Sequence, residues 1–206
     1  MGSAICPEDF RLIRALIPDG NIRISTVGGG VSPAGKYHVE AEGRVWMCKC
    51  FQTKPRIAEW YTLVKEAGCP QLASAEKWLE DEAGRICVLA PWIDGTELGT
   101  YLLSHPERTE ECGLAAGRLL RRLHQIPLTG VAGVPDGKMS LLHNDLKPEH
   151  FIFRDGRPYL VDFENGGVGD PEADIRRFEK RIPKTMNAFF AGFLAGYGEQ
   201  NAQNDQ

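Results

Sequence analysis

Polar and apolar residues alternate along much of the first half of the chain, which is the pattern of half-buried β-strands. Ile22, Ile24 and Thr26 fall on one side of such a strand, and the turn at residues 42–44 (EGR) separates two further alternating runs, as a hairpin connection would. Apolar spacings of three and four residues interrupt the alternation twice and predict helices. We expect strands over residues 21–27, 36–42, 45–51, 75–80 and 85–91, and helices over residues 8–17 and 55–67.

Helical spacing dominates the chain from about residue 95 onward. It is interrupted by two short apolar runs joined by the dipeptide at residues 155–156 (DG), which is typical of a tight hairpin turn. The change of pattern predicts an α+β protein with a small antiparallel β-sheet lobe over residues 1–92 and a mainly helical lobe over residues 93–206. Predicted helices cover residues 98–103, 110–124, 172–181 and 184–195, and the short strands lie near 151–153 and 159–161.

The strongest functional signal is carried by residues 141–174, LLHNDLKPEHFIFRDGRPYLVDFENGGVGDPEAD. The run HNDLKPEH at 143–150 resembles the catalytic loop of protein kinases and of aminoglycoside phosphotransferases, and DFE at 162–164 stands where both families place a metal-binding aspartate. The Gly-Asp-Pro segment close behind it resembles the aminoglycoside phosphotransferase and choline kinase branch, in a form with fewer residues after Asp174. The resemblance implies a bilobal protein-kinase-like fold and a phosphotransferase that uses ATP.

Phosphoryl transfer needs a carboxylate that accepts the proton of the attacking hydroxyl, and anionic ligands for metal ions on the nucleotide phosphates. We predict that Asp145 is this catalytic base and that Asp162 is the main metal ligand, because the hairpin between them would bring both to one cleft. By the resemblance, Lys147 lies near the transferred phosphate. His143 is expected to pack beneath the loop, and Asp174 to anchor the loop from the start of a helix.

His150 departs from both families, which usually carry asparagine at this position as a second metal ligand. Magnesium prefers oxygen ligands, whereas imidazole suits transition ions. We expect His150 to contact the metal nevertheless, with Mg²⁺ as the ordinary ion and Mn²⁺ tolerated unusually well. The alternative is a histidine that binds no metal.

Two backbone segments of the first half are predicted to bind the nucleotide. Gly28, Gly29 and Gly30 lie between two predicted strands, as in a glycine-rich phosphate loop, although a plain flexible hairpin explains them equally well. Residues 89–95 (LAPWIDG) resemble the hinge between kinase lobes. That resemblance implies that backbone groups of Ala90 and Trp92 meet the adenine edge; a simple strand-ending turn is the alternative.

Lys49 is the charged side chain expected to bind the nucleotide phosphates. It lies inside an otherwise apolar strand, where an ammonium group without a partner is costly. By the resemblance it matches the third-strand lysine of kinases. Glu59 on the next helix is its expected partner, with Glu66 as the alternative.

Composition excludes some other classes of function. The 206 residues are 42% hydrophobic and 25% charged, with a formal net charge of −4, which is ordinary for a soluble globular protein and does not favour a nucleic-acid surface. No run approaches about 18 uninterrupted apolar residues and the N-terminus lacks an apolar signal core, so we expect no membrane span and a cytoplasmic protein.

The six cysteines form no Cys-x-x-Cys pair, which indicates buried free thiols rather than a zinc site; Cys48 and Cys50 share one face of a strand.

Three functions fit these features. The segment 162–174 favours a small-molecule kinase whose partners are a nucleotide and an alcohol, sugar or antibiotic acceptor. The run DLKPE at 145–149 fits a compact Ser/Thr protein kinase, although no activation segment with an Ala-Pro-Glu anchor is present and Asn144 stands where many such kinases have arginine. His150 and the short C-terminal region fit a nucleotide-binding pseudokinase.

Overall fold

In the computed structural model of the chain, antiparallel strands flank both predicted hairpin turns, at residues 42–44 and 155–156, and the chain divides into two units. The segment 62–73 groups with the second unit, whereas the sequence-based division assigned it to the first. Backbone hydrogen bonds explain this, because Leu160 donates to Gln71 (2.8 Å) and accepts from Ala73 (2.9 Å). The structure describes residues 5–18, 20–28, 34–54, 56–134 and 139–199. The two units are Met1–Tyr61 with Ser74–Trp92, and Thr62–Ala73 with Ile93–Gln206.

The first unit is built on an antiparallel sheet with the strand order β1-β2-β3-β5-β4. The β2–β3 connection is a tight hairpin in which Glu42 and Gly43 both have positive φ (54° and 71°), as expected for the turn type that matches strand twist. The strands are β1 (Arg23–Thr26), β2 (Gly35–Ala41), β3 (Arg44–Phe51), β4 (Lys77–Glu80) and β5 (Ile86–Pro91). Helix α1 is Pro7–Leu16, and helix α2 is Ile57–Glu66, which crosses from the first unit into the second.

The core of the first unit forms where α1 covers one face of the sheet. Leu12, Ile13 and Ile17 pack against apolar side chains of β2, β3 and β5, among them Trp46 and Leu89. The alternation seen in the sequence is the cause, since every second residue of β3 points toward this core. Lys49 therefore belongs to the opposite face of the sheet from Cys48 and Cys50.

The second unit is mainly helical, with two small antiparallel sheets that hold the loops of interest. The sheet β6-β8-β9 contains the predicted hairpin, and β10 pairs with β7. Neither β6 nor β10 is predicted by the sequence pattern, because each is too short to show a period. The elements are β6 (Thr96–Glu97), α3 (Leu98–Ser104), α4 (Thr109–His124), β7 (Ser140–Leu142), β8 (Phe151–Arg154), β9 (Arg157–Leu160), β10 (Gly167–Gly169), α5 (Glu172–Arg181) and α6 (Asn187–Gly198).

Close packing of α4 against α6 forms the centre of the second unit. Gly117 of α4 lies so near the Phe193 carbonyl that an added Cβ would overlap it, and Gly113 stands in the same relation to Phe189. Both phenylalanine side chains are fully buried. Small residues here allow the helix backbones to approach while the aromatic rings fill the core. In the described part of the chain, no helix is long and apolar enough to cross a membrane.

Candidate active site

The loop that follows β7 presents Asp145 at the surface of the second unit. Its carboxylate side chain is 25% exposed and accepts a hydrogen bond from Arg181 Nη1 of α5 at 2.6 Å. Lys147 Nζ lies 3.7 Å from the other carboxylate oxygen. Asn144 adopts a left-handed backbone conformation (φ 61°), which turns the chain so that Asp145 projects from the loop. The predicted base is therefore accessible and flanked by two cations.

These cations decide the charge of Asp145. Burial alone would raise its pKa, but the hydrogen bond from Arg181 and the positive charges of Lys147 and Arg181 outweigh burial, and the pKa is lowered. Asp145 is consequently an ionised carboxylate at neutral pH, which is the form that can accept a proton.

Asp174, in the first turn of α5, holds this loop in place. Its fully buried carboxylate accepts the backbone N–H of His143 at 2.6 Å and that of Asn144 at 2.9 Å. His124 Nε2 of α4 donates to the same carboxylate at 3.2 Å. Desolvation would raise the pKa of Asp174, but the hydrogen bonds from His124 and from the backbone N–H of His143 keep it lowered. Through these contacts Asp174 anchors the loop, as the sequence predicts.

His143 supports the loop from below, as the sequence predicts. Its Nε2 donates to the Val161 carbonyl at 2.8 Å, and its Nδ1 accepts the Asp145 N–H at 3.3 Å, so the neutral ring with the proton on Nε2 satisfies both. Burial lowers the pKa of His143 to about 4. The imidazole therefore connects the residue before Asp162 to the residue that carries the predicted base.

Asp162 and His150 form the second chemical pair of this unit. Asp162 follows β9 in the left-handed region (φ 70°, ψ 55°), and its carboxylate Oδ2 lies 3.4 Å from His150 Nε2. The His150 ring is buried, and its Nδ1 has no hydrogen-bond partner among the described residues. Backbone strain and an unsatisfied buried nitrogen cost free energy, and both are more common at functional sites than elsewhere.

The donor set of this pair fits a divalent metal ion. Two ligand atoms at about 2.1 Å from one ion and at right angles are about 3 Å apart, close to the 3.4 Å between Oδ2 and Nε2. One carboxylate and one imidazole suit Mn²⁺ better than Mg²⁺. His150 and Asp162 are therefore the residues that would hold a metal here.

Replacing His150 by asparagine should shift the metal preference of the enzyme. An oxygen ligand in place of imidazole favours Mg²⁺, so we expect the ratio of Mn²⁺-supported to Mg²⁺-supported activity to fall about tenfold in H150N. His105→Asn is the control, because His105 stacks on Tyr101 in the same unit and has no place in this pair. Activity of His150→Ala equal to the parent with both metals would remove His150 from the metal site.

In the first unit, Lys49 is buried on β3 with 8% of its surface exposed. It lies directly opposite Lys36 of β2, so both ammonium groups belong to the same face of the sheet. Two cations on one face of a sheet create a local positive potential that attracts anions such as phosphate. The register thus adds Lys36, which sequence reasoning missed, to Lys49 as a candidate phosphate ligand.

Glu59, the expected partner of Lys49, binds Arg56 with both carboxylate oxygens, at 2.6 and 3.1 Å. This bond lowers the pKa of Glu59. A pair between Lys49 and Glu59 stays a prediction. Among the glycines of the predicted phosphate loop, Gly28 follows β1 after one residue, whereas Gly29 and Gly30 lie outside the described residues.

The predicted hinge backbone is partly engaged within the first unit. The Trp92 N–H donates to the Val45 carbonyl at 3.1 Å, and Ala90 pairs with Met47 across the β3–β5 ladder. Because the Trp92 N–H already has this partner, the contact predicted between Trp92 and adenine would have to be made by the Trp92 carbonyl. The contact predicted for Ala90 stays a prediction, as does the binding of one triphosphate by Lys49 and Asp162.

Arg181 is the residue of the second unit that sequence reasoning missed. It lies on the same face of α5 as Asp174 and Arg177, at helical spacings of seven and four residues. That spacing is visible in the sequence. It predicts a contact between Arg181 and the catalytic loop only if Asp174 is already known to point under that loop.

The fold and the site together define a protein-kinase-like phosphotransferase. One unit is an antiparallel sheet with a buried lysine, and the other is helical, with an accessible aspartate and a carboxylate–imidazole pair of the kind that can bind a metal ion. A family model described as "Phosphotransferase enzyme family" (APH) matches residues 23–137 and 132–204. The chain belongs to this family, which confirms the predicted branch of the kinase-like fold and the prediction that the protein is a kinase.

Solved structures agree on the fold. Spectinomycin phosphotransferase APH(9)-Ia, in complex with ADP and spectinomycin, is 12% identical with a TM-score of 0.65, over 89% of this chain and 76% of that one. A type VIII aminoglycoside-3'-phosphotransferase is 14% identical with a TM-score of 0.64, over 96% and 95%. The gentamicin complex of APH(2")-IIa is 13% identical with a TM-score of 0.63, over 96% and 83%. Among curated proteins, none matches the sequence.

Proposed function

We propose that this protein transfers the γ-phosphoryl group of ATP to a hydroxyl group of a small molecule, with Mg²⁺ or Mn²⁺ bound by Asp162 and His150. The observation that carries the proposal is the ionised, accessible Asp145 on a loop tied through His143 to the residue before Asp162. Family membership supports it, and so does the ADP that is bound in the structure of spectinomycin phosphotransferase.

Each residue has a role in this proposal. Asp145 orients the acceptor hydroxyl and takes its proton, and Lys147 stabilises charge on the transferred group. Lys36 and Lys49 bind the nucleotide phosphates. A bound divalent ion would neutralise phosphate charge. His143 and Asp174 position the loop and touch no substrate.

A protein substrate is less well supported. Protein kinases bind peptides along a long activation segment, but here residues 163–165 form one 3₁₀ turn and Gly167–Gly169 pairs at once with β7. Helix α5 then begins at Glu172. The short connection favours a small acceptor.

The charges around Asp145 constrain the acceptor. Its hydroxyl must come within hydrogen-bond distance of Asp145, and hence close to Arg181 and Lys147. Two like charges about 4 Å apart repel by about 1 kcal/mol in bulk water and by about 4 kcal/mol near a protein surface. We therefore propose a neutral or anionic acceptor, rather than a polycationic antibiotic such as the gentamicin bound by a relative.

An acceptor screen tests the proposed function. ADP release from ATP is measured with Mg²⁺ or Mn²⁺ present, with ribose and myo-inositol as neutral acceptors, gluconate as an anionic one and gentamicin as a cationic one. We expect acceptor-dependent ADP release with neutral or anionic compounds, and product mass one phosphoryl group higher. A preference for gentamicin would contradict the acceptor class, and nucleotide binding without transfer to any acceptor or to protein extracts would indicate a pseudokinase.

Arg181→Gln should separate the acceptors by charge. With the guanidinium removed, we expect KM for an anionic acceptor to rise about tenfold while KM for a neutral one changes less than about threefold. Arg176→Gln is the matched control, because Arg176 lies on the same helix and pairs only with exposed Asp170 and Glu172 in the described structure. Equal KM changes for both acceptors in R181Q would exclude Arg181 from acceptor binding.

A further inference from the structure

Three cysteine thiols converge in the core of the first unit. Cys48 and Cys50 lie on β3 and Cys87 lies on β5, and their sulfur atoms are all within 4.8 Å of one another. Cys48 Sγ is 3.3 Å from Cys87 Sγ and 3.9 Å from Cys50 Sγ. All three are buried and free. The prediction of buried free thiols is confirmed for them, but the sequence could not show that the third one joins the pair.

The backbone disfavours a disulfide between the closest two sulfurs. Cys87 is directly opposite Cys50 in the β3–β5 ladder, so Cys48 is its diagonal neighbour. Diagonal neighbours have Cα atoms about 7–8 Å apart, beyond the usual reach of a disulfide. A bridging ion has a longer reach. Three sulfurs bound at about 2.3 Å to one ion, with bond angles between about 90° and 120°, stand roughly 3.3–4.0 Å apart.

The apolar surroundings of the triad (Cys48, Cys50 and Cys87) favour an ion whose complex with three thiolates has no net charge. The sulfurs pack among apolar side chains under α1, and the nearby buried carboxylate of Asp9 is paired with Arg85 Nη1 at 2.6 Å. Burial raises the pKa of Cys48 well above its ordinary value, because a thiolate is poorly solvated there. Three thiolates would leave a charge of −2 with Cu⁺ and −1 with Zn²⁺, but none with a trivalent ion.

We propose that Cys48, Cys50 and Cys87 form a binding site for trivalent arsenic, supplied as arsenite. Arsenous acid, As(OH)₃, reacts with three thiols to give three As–S bonds and three water molecules, each thiol proton leaving with one hydroxide. No oxidation or reduction takes place, and the product in the core is neutral. Soft thiolate ligands select such thiophilic ions over hard ones such as Mg²⁺.

The site has a direct connection to the nucleotide side of the first unit. Two of the ligands flank Lys49, whose side chain belongs to the opposite face of β3. Arsenic bonded to both strands would restrain the segment that carries Lys49. This consequence depends on the proposed function, whereas arsenite binding itself does not.

Arsenite binding is tested on the full-length reduced protein without nucleotide. Intact mass should rise by one arsenic atom minus three hydrogens, and X-ray absorption at arsenic should show three sulfur neighbours. Titration with arsenite should give binding at least about tenfold weaker in Cys48→Ala, Cys50→Ala and Cys87→Ala. Cys69→Ala and Cys112→Ala in the second unit should bind like the parent.

Two results would overturn this site: an arsenic atom bonded to fewer than three sulfurs in the parent protein, or weakened binding in the Cys69 or Cys112 variants instead of the triad variants. The sulfur count needs no variant, so it decides the question even where a core substitution prevents folding. Competition with Zn²⁺ tests the charge argument, and stronger binding of Zn²⁺ than of arsenite would contradict it. Loss of phosphoryl transfer alone would not bear on the site.

Discussion

Asp145→Asn is expected to reduce acceptor-dependent ADP release by about 10²–10⁴-fold, the contribution usual for a positioned general base. The amide can still accept a hydrogen bond but cannot take the proton of the attacking hydroxyl. Because Asp145 is partly exposed, loss of its ion pair with Arg181 should change the free energy of unfolding by no more than about 1 kcal/mol. Steady-state kinetics, ATP affinity and thermal melting together distinguish lost chemistry from lost structure.

Asp155→Asn is the matched control for this substitution. Asp155 is exposed in the β8–β9 turn with a φ of 50°, a conformation that asparagine adopts readily, so activity should match the parent. We expect ATP affinity in D145N to stay within about threefold of the parent, because Asp145 acts on the acceptor. If D145N kept more than about a tenth of the parent activity, another group would have to be the base.

The sequence predicted the parts of the site that are continuous in the chain. The loop 143–150 and the turn at Asp162 are joined by one hairpin, and the turn 155–156 has residues of the required type, so their proximity follows from local rules. His143 and Asp174 could be assigned supporting roles because the resemblance covers the same continuous segment. Their contacts with the loop are those expected.

Residues that meet through strand register or helix packing were not predictable in this way. Lys36 faces Lys49 because β2 and β3 pair in one register, and a shift by one residue would place them on opposite faces. Cys87 reaches the sulfurs of β3 only because β5 is the next strand in the sheet, although β4 precedes it in the chain. Arg181 meets Asp145 through the direction of α5. Each depends on long-range pairing that composition and periodicity do not encode.

Asp174→Asn is expected to destabilise the protein by about 3–5 kcal/mol, the cost of breaking a buried, hydrogen-bonded charge network. The carboxylate accepts two backbone N–H groups, one on each oxygen, together with His124. An amide offers one oxygen and one NH₂ group, so at least one of these donors would face another donor. For a chain of this length the melting temperature should fall by roughly 6–20 °C.

The pH dependence of stability supplies a second measurement of Asp174. Its pKa in the folded protein is below its ordinary value, so its stabilising effect is complete at neutral pH and is lost as pH falls through the lowered pKa. The Asn variant should therefore differ most from the parent near neutrality and least in strong acid. Glu172→Gln is the control, since that carboxylate lies exposed in the same helical turn and should change stability by no more than about 0.5 kcal/mol.

Activity in Asp174→Asn should fall more than the folded fraction does. The hydrogen bonds from the N–H groups of His143 and Asn144 to Asp174 fix the backbone next to Asp145 and so orient the catalytic base. Assays at a temperature where the variant is fully folded separate the two effects. A variant that melts as predicted but retains parent kcat at that temperature would show that Asp174 stabilises the unit without positioning the base. The loop geometry would then have to be maintained by His143 and Arg181 alone.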